Sequence, residues 1–142
     1  MAIVYLALGS NLGDRQSYIE QAIVQLGLHG ILVQKVSTII ETNPAAGPTQ
    51  GKYLNGVLKG WTAHSPEELH YITKQIEKKI GRTKKVLNGP RLIDIDILLY
   101  DDIKLVTKRL VIPHLRIWER DFVMKPLKEI APEIYKEVES GY

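Results

Sequence analysis

Two aspartates set the chemistry open to this chain. Asp94 and Asp96 alternate with Ile93, Ile95, Ile97 and Leu99 in the run Leu92-Ile93-Asp94-Ile95-Asp96-Ile97-Leu98-Leu99-Tyr100. On a strand alternate residues share a face, so the four apolar residues line one side and the two carboxylates project from the other. Their Cα atoms then lie about 6.5–7 Å apart, two strand rises. Carboxylates this close repel, and a divalent cation between them relieves the repulsion. Ligation by one or two carboxylates suits Mg²⁺, which keeps positions open for substrate phosphates. The segment entering the strand, Arg82-Thr83-Lys84-Lys85-Val86-Leu87-Asn88-Gly89-Pro90-Arg91, holds four cations and no acid. Such cations match the remaining oxygens of a polyphosphate, and a loop of this length can act as a lid. Alone, an Asp-x-Asp pair or a basic loop is more often a solvated surface; their adjacency favours the metal and polyphosphate reading.

Other signals are local. Gly9-Ser10-Asn11-Leu12-Gly13-Asp14 follows an apolar run, as a phosphate loop does, yet Asp14-Arg15 stand where a Walker loop needs Gly-Lys. Close backbone approach at Gly9 and a plain turn are equal readings of it. His114 follows Pro113 and precedes Arg116 and Arg120, a setting that suits phosphate contact or a structural hydrogen bond. His29, His64 and His70 show no zinc-protease spacing. Tyr53 and Asn55 share a strand face by parity, placing a ring beside an amide, which suits a flat heterocycle or simple core packing.

These residues need a scaffold. Ile3–Leu8 reads as a buried strand. Ile19, Ala22, Ile23 and Leu26 follow with helical spacing. Ile31–Thr42 is rich in β-branched residues and reads as one long strand. Tyr53–Thr62 is a strand weakened by Gly56 and Gly60. Ser65-Pro66-Glu67-Glu68 is a helix start with a capping Ser, a Pro at the first helical position and a Glu three residues after the cap. Leu69, Ile72, Ile76 and Ile80 line one face of that helix, and Gly81 stops it. Leu92–Tyr100 is the strand of the aspartates. Asp101-Asp102 is a turn, Ile103–Ile112 supplies one or two short strands, and a weakly helical stretch runs through Trp118, Phe122 and Leu127. Strand, helix, strand, strand, helix, strand is the order of a split βαβ unit, the ferredoxin-like arrangement, here with a C-terminal addition.

Composition bounds the rest. The chain has 142 residues, the length of one domain spanning 1–142, with 44% hydrophobic and 25% charged residues, which argues against disorder. With no Cys, a disulfide scaffold and a thiol nucleophile are excluded. The net charge of +3 permits an anionic ligand without arguing for nucleic acid. No early apolar run is long enough to span a membrane and no cationic start precedes one, so a cytoplasmic protein with no membrane partner is the expectation. An RNA-binding module of this fold wants exposed aromatics on its central strands, yet the chain has one Phe, and Asp94 and Asp96 repel phosphate unless a metal intervenes. A small-molecule regulatory domain needs neither the aspartates nor the cationic loop.

Taken together, four ordered motifs resemble the 6-hydroxymethyl-7,8-dihydropterin pyrophosphokinase family of folate biosynthesis. They are Ala7-Leu8-Gly9-Ser10-Asn11-Leu12-Gly13-Asp14, Tyr53-Leu54-Asn55, Gly89-Pro90-Arg91 with Ile93-Asp94-Ile95-Asp96-Ile97-Leu98, and Pro113-His114 followed by Arg120, Phe122, Pro126-Leu127 and Glu129-Ile130-Ala131-Pro132. The resemblance covers essentially the whole chain. It implies an α+β, ferredoxin-like βαββαβ core, a largely antiparallel sheet with helices on both faces. It implies transfer of pyrophosphate from ATP to the pterin hydroxymethyl group with release of AMP. Carried over by position, Asp94 and Asp96 bind two Mg²⁺ ions. Glu77, Arg91, Ile97, Arg109, His114 and Arg120 fall around ATP, with Arg82 and Lys84 on the lid. Arg82 and Arg91 are the expected catalytic cations, stabilising charge on the transferred group and on AMP. Thr42, Asn55 and backbone near Gly9 and Ala46 hydrogen-bond the pterin, and Tyr53 and Phe122 sandwich its ring. A monomer is expected, without nucleic acid. The chain departs from the family pattern at Leu87-Asn88 and Leu115, where aromatics are frequent, and in a short C-terminal end.

Overall fold

The computed structural model describes residues 1–42, 52–81, 92–114 and 117–134. Its elements run β1 (Ala2–Ser10), α1 (Arg15–Leu28), β2 (Ile31–Val36), β3 (Ile40–Thr42), β4 (Tyr53–Thr62), α2 (Pro66–Gly81), β5 (Asp94–Tyr100), β6 (Leu105–Val106), β7 (Val111–Ile112), a 3₁₀ turn (Ile117–Glu119) and α3 (Asp121–Ile130). The main sheet has the order β2-β4-β1-β5, with β3 also paired to β4. Every pairing is antiparallel. Inserting β4 between β1 and β2 is the split βαβ arrangement, so the ferredoxin-like expectation holds.

The two faces of the sheet bury different helices. Val4, Leu6 and Leu8 of β1 pack with Ile19, Ala22 and Leu26 of α1 and with Leu69, Ile76 and Ile80 of α2. Tyr5 of β1, Val57 of β4 and Leu99 of β5 pack instead with Val123, Leu127 and Ile130 of α3. Helices therefore cover both faces. Among the described residues no helix is long and apolar enough to cross a membrane.

The starts of α1 and α2 follow from sequence. The Asp14 carboxylate accepts from Ser17 N–H at 3.2 Å and caps α1. At α2, Ser65 N–H donates to Glu68 Oε1 at 2.9 Å and Glu68 N–H donates to Ser65 Oγ at 3.2 Å, a reciprocal capping box. The Ser65 backbone and hydroxyl hold the Glu68 carboxyl below its ordinary value. A carboxylate with a lowered folded pKa adds stability above its unfolded value and loses it as pH falls through the lowered one. Ser65→Ala is expected to cost about 1 kcal/mol at neutral pH. It should also flatten the acid limb of a pH series of urea unfolding curves; an unchanged midpoint would contradict the cap.

Two strands differ from expectation. Ile31–Thr42 is not one strand: β2 ends at Val36 and β3 starts at Ile40. In the gap, Ser37 Oγ accepts Val57 N–H at 2.9 Å, and Glu129 of α3 takes the Thr38 N–H and hydroxyl at 3.0–3.1 Å. A carboxylate 91 positions away thus ends the ladder. Gly56, which seemed to weaken β4, makes room beside the break: a Cβ there would sit 2.5 Å from Ile39 Cδ1.

The second difference is in β5. Leu99 does not share a face with Ile93, Ile95 and Ile97; those three pack on the α1–α2 side and Leu99 on the α3 side. The cause is a register shift, with Tyr5 opposite Leu99 but Leu6 opposite Ile97, so Leu98 is the extra residue of a bulge. The Leu98 carbonyl accepts the His114 N–H at 3.1 Å. The bulge thereby places His114 against the strand of the aspartates.

Candidate active site

The site lies on the α3 face, where β1 ends and β5 begins. Asn55 is directly opposite Gly9, and Gly9 directly opposite Asp94. One row therefore crosses three strands with an amide at one end, a carboxylate at the other and no side chain between. A Cβ on Gly9 would lie 3.0 Å from Asn55 Oδ1 and 3.8 Å from Tyr53 Cδ1. The glycine keeps this floor open. Asp96 stands one row inward, opposite Ala7. Both aspartates are half-buried.

Around Asn55 three of the expected pterin residues, Gly9, Thr42 and Tyr53, meet. Asn55 is 7% exposed, and its Nδ2 donates to Thr42 Oγ1 at 2.7 Å. Thr42 pairs with Tyr53 across β3 and β4, so all three share the face. Phe122, at the start of α3, packs at the edge of the α3 core. The Arg120 guanidinium sits 5.4 Å from its ring centroid.

On the other side of Asp96 a cavity of about 280 Å³ is lined by Ile97, Arg109 and His114, and by His70, Thr73 and Lys74 of α2. Burial first, then the Lys74 and Arg109 charges, hold the His70 imidazole below its ordinary value, so it is neutral at pH 7. Lys74 and Arg109 bring positive charge to this cleft beside Asp96, and His114 lines it.

Glu77 does not line this cleft. Its Oε2 accepts the Ile95 N–H at 2.7 Å and Lys74 Nζ at 3.1 Å, so it anchors β5 between the two aspartates and orients Lys74. Burial raises the Glu77 carboxyl, offset in part by the Ile95 and Lys74 hydrogen bonds. A carboxyl raised on folding binds its proton more tightly in the folded state, so stability falls as pH climbs from the unfolded value through the folded one. Glu77→Gln is expected to remove that slope from a pH series of chemical unfolding midpoints. An identical slope in the variant would place its origin elsewhere.

The Gly9–Asp14 turn is no phosphate loop. Asp14 is spent on the α1 cap, and Arg15 pairs with Glu41 at 2.8 Å and donates to the Lys52 carbonyl at 2.8 Å. Arg15 thus clamps two points that flank residues 43–51. Sequence reading missed this clamp. It also missed His70 and Lys74, whose signal was the i, i+4, i+7 polar stripe they form with Glu77 on α2. Ser10 Oγ and both amide atoms of Asn11 are buried with no hydrogen-bond partner among the described residues. Arg82, Lys84, Arg91 and Ala46 lie outside the described residues, as do Leu87, Asn88 and Leu115.

Residues 5–132 match the family model of 7,8-dihydro-6-hydroxymethylpterin-pyrophosphokinase (HPPK). The chain is 45% identical over 140 residues to the 2-amino-4-hydroxy-6-hydroxymethyldihydropteridine pyrophosphokinase of Bacillus subtilis, covering 98% of this chain and 84% of that one. It is 47% identical over 134 residues to the Aquifex aeolicus protein of the same name, covering 94% and 83%. Among solved structures, Plasmodium falciparum HPPK-DHPS with SDX-DHP superposes with a TM-score of 0.70 at 17% identity, over 94% of this chain and 40% of that one. At that identity the likeness speaks for the fold alone, and this chain spans less than half of the malarial one. The chain belongs to the 7,8-dihydro-6-hydroxymethylpterin-pyrophosphokinase family and is a pyrophosphokinase acting on that pterin in folate synthesis.

Proposed function

We propose that ATP is the donor, that Mg²⁺ is required, and that the transfer runs along the Asn55–Gly9–Asp94 row. That row carries the reading, because it sets a heterocycle-binding end and a carboxylate pair side by side on one rigid sheet. In this reading the pterin ring lies between Tyr53 and Phe122. Asn55 Oδ1 accepts from the ring edge, since Nδ2 is committed to Thr42. The side-chain-free floor at Gly9 and contacts near Ala46 complete that end.

The polyphosphate lies beyond Asp94 and Asp96, in the cleft of Ile97, Arg109 and His114. The donor set fits Mg²⁺: two half-buried carboxylates, with no group of three or more metal-binding side chains among the described residues. Such a pair suits a cation that completes its shell with phosphate oxygens and water. Two ions held there by Asp94 and Asp96 would neutralise phosphate charge and ease loss of the pterin hydroxyl proton. The hydroxymethyl oxygen forms a bond to the β-phosphorus, the bond from that phosphorus to the oxygen bridging to the α-phosphorus breaks, and AMP leaves with that oxygen. The chain's own part is positioning and charge. Lys74, Arg109 and His114 hold the donor, and Glu77 fixes β5 and Lys74 from below. Arg82, Lys84 and Arg91 supply further cations over the site, Arg82 and Arg91 as the catalytic pair. Arg120 sits above Phe122 on the pterin side. The chain works as one monomeric domain in the cytoplasm.

The test is nucleotide analysis of ATP turnover. AMP is expected only when the pterin and Mg²⁺ are both present, one AMP per pterin diphosphate. ADP as the product, or AMP at equal rate without the pterin, overturns the reading.

A further inference from the structure

A second cavity, about 520 Å³, opens on the α3 face at the far end of β1. Its centre at Tyr5 is four residues from Gly9, roughly 13 Å along the strand. None of its lining residues belongs to the site above. Tyr5 is only 5% exposed, and its hydroxyl, which forms no hydrogen bond among the described residues, opens onto the cavity. Tyr5 is paired directly with Lys59, so the two side chains rise from one face about 5 Å apart at Cβ. Lys59 forms no ion pair among the described residues. The floor is apolar, made by Ile3, Leu99 and Ile134, and Asp102, Lys104 and Glu133 also line the cavity. Asp101 is already engaged, its carboxylate accepting the Ile3 N–H at 2.7 Å.

This lining selects its ligand. Burial first, then the Glu133 charge, raise the Tyr5 hydroxyl pKa, so it is a donor at neutral pH. Two neighbouring donors, one of them a cation, match a carboxylate. Asp102 and Glu133 repel a second negative charge and match an ammonium. A neutral hydrocarbon would strip solvent from the hydroxyl without replacing its hydrogen bond. The volume is that of a small-molecule site.

We propose that this cavity binds a small zwitterion with an apolar body, the class of free apolar amino acids. The carboxylate lies on Tyr5 and Lys59, the ammonium on Glu133 and Asp102, and the side chain on Ile3, Leu99 and Ile134.

The test is calorimetry and amide-shift mapping on the full chain with L-phenylalanine, phenylacetate, which lacks the ammonium, and phenethylamine, which lacks the carboxylate. L-phenylalanine is expected to saturate with shifts at Ile3, Lys59 and Asp102, and each single-charge analogue to bind at least about tenfold more weakly. Lys59→Met and Tyr5→Phe, which keep the apolar bulk, are expected to weaken binding at least about tenfold while pyrophosphokinase turnover is unchanged. If Tyr5→Phe alters the unfolding midpoint, Lys59→Met decides. Any one of four results overturns the proposal: no saturation below about 50 mM, equal binding of all three probes, undiminished binding by Lys59→Met, or shifts centred on Asn55 and Phe122. A concentration-dependent mass with no ligand binding would assign the surface to a second copy of the chain and overturn it as well.

Discussion

Asp96→Asn is expected to lower kcat/KM by several hundredfold or more at saturating Mg²⁺, and Asp94→Asn to do the same. Each carboxylate projects from the open end of the sheet, and the donor set holds no third acid among the described residues to replace it. Loss of one of two ligands removes several kcal/mol of charge stabilisation, and each ~1.4 kcal/mol is a factor of ten in rate. The fold is expected to survive, because Asn keeps the shape and removes one of two mutually repelling charges. Steady-state AMP formation read beside thermal unfolding checks both halves. Near-normal turnover in either variant contradicts the metal role. A collapse of the unfolding midpoint would assign the residue to stability instead.

The second large effect is selective. Asn55→Ala removes the amide that Thr42 orients, leaving ring polar groups without a partner, which costs about 1–3 kcal/mol, or roughly 5- to 150-fold in pterin affinity. Phe122→Ala removes one stacking surface. Because Phe122 also touches the α3 core, Phe122→Leu is the companion variant that keeps most of that packing. MgATP affinity is expected to stay within about twofold in all three, since the proposed arrangement puts the nucleotide beyond Asp96. Titration calorimetry with each substrate alone decides it. Loss of ATP affinity with pterin affinity intact would reverse the map.

Much of this was legible in the residues. The capping box at Ser65 and Glu68 forms because its signals are local. The shared face of Asp94 and Asp96 was legible for the same reason, since strand parity needs no knowledge of the neighbour. That parity failed at Leu99, because the bulge at Leu98 exists only in the register between β5 and β1. The single strand read from Ile31 to Thr42 failed likewise: Glu129, far along the chain, takes the Thr38 N–H. Periodicity sorted α2 into an apolar stripe and a solvated remainder. That sorting passed over the polar stripe of His70, Lys74 and Glu77 at the border between them, which faces β5. Family resemblance grouped Thr42, Tyr53 and Asn55, and the pairing of β3 with β4 explains why these three meet. Their strands meet at a glycine whose missing Cβ leaves the space.

The central claim is that phosphate chemistry is centred on the end of the row that holds Asp94. Mn²⁺ titrated into the ¹⁵N-labelled protein with a non-hydrolysable ATP analogue and the pterin tests it most directly, through paramagnetic broadening of amide signals. Broadening is predicted to be strongest at Gly9, Asp94–Asp96 and His114, weaker at Asn55, and absent at Ile3, Ser65 and Asp101. It is also predicted to fall away in Asp96→Asn. Broadening centred on the Asp101-Asp102 turn, or unchanged in that variant, would contradict the account.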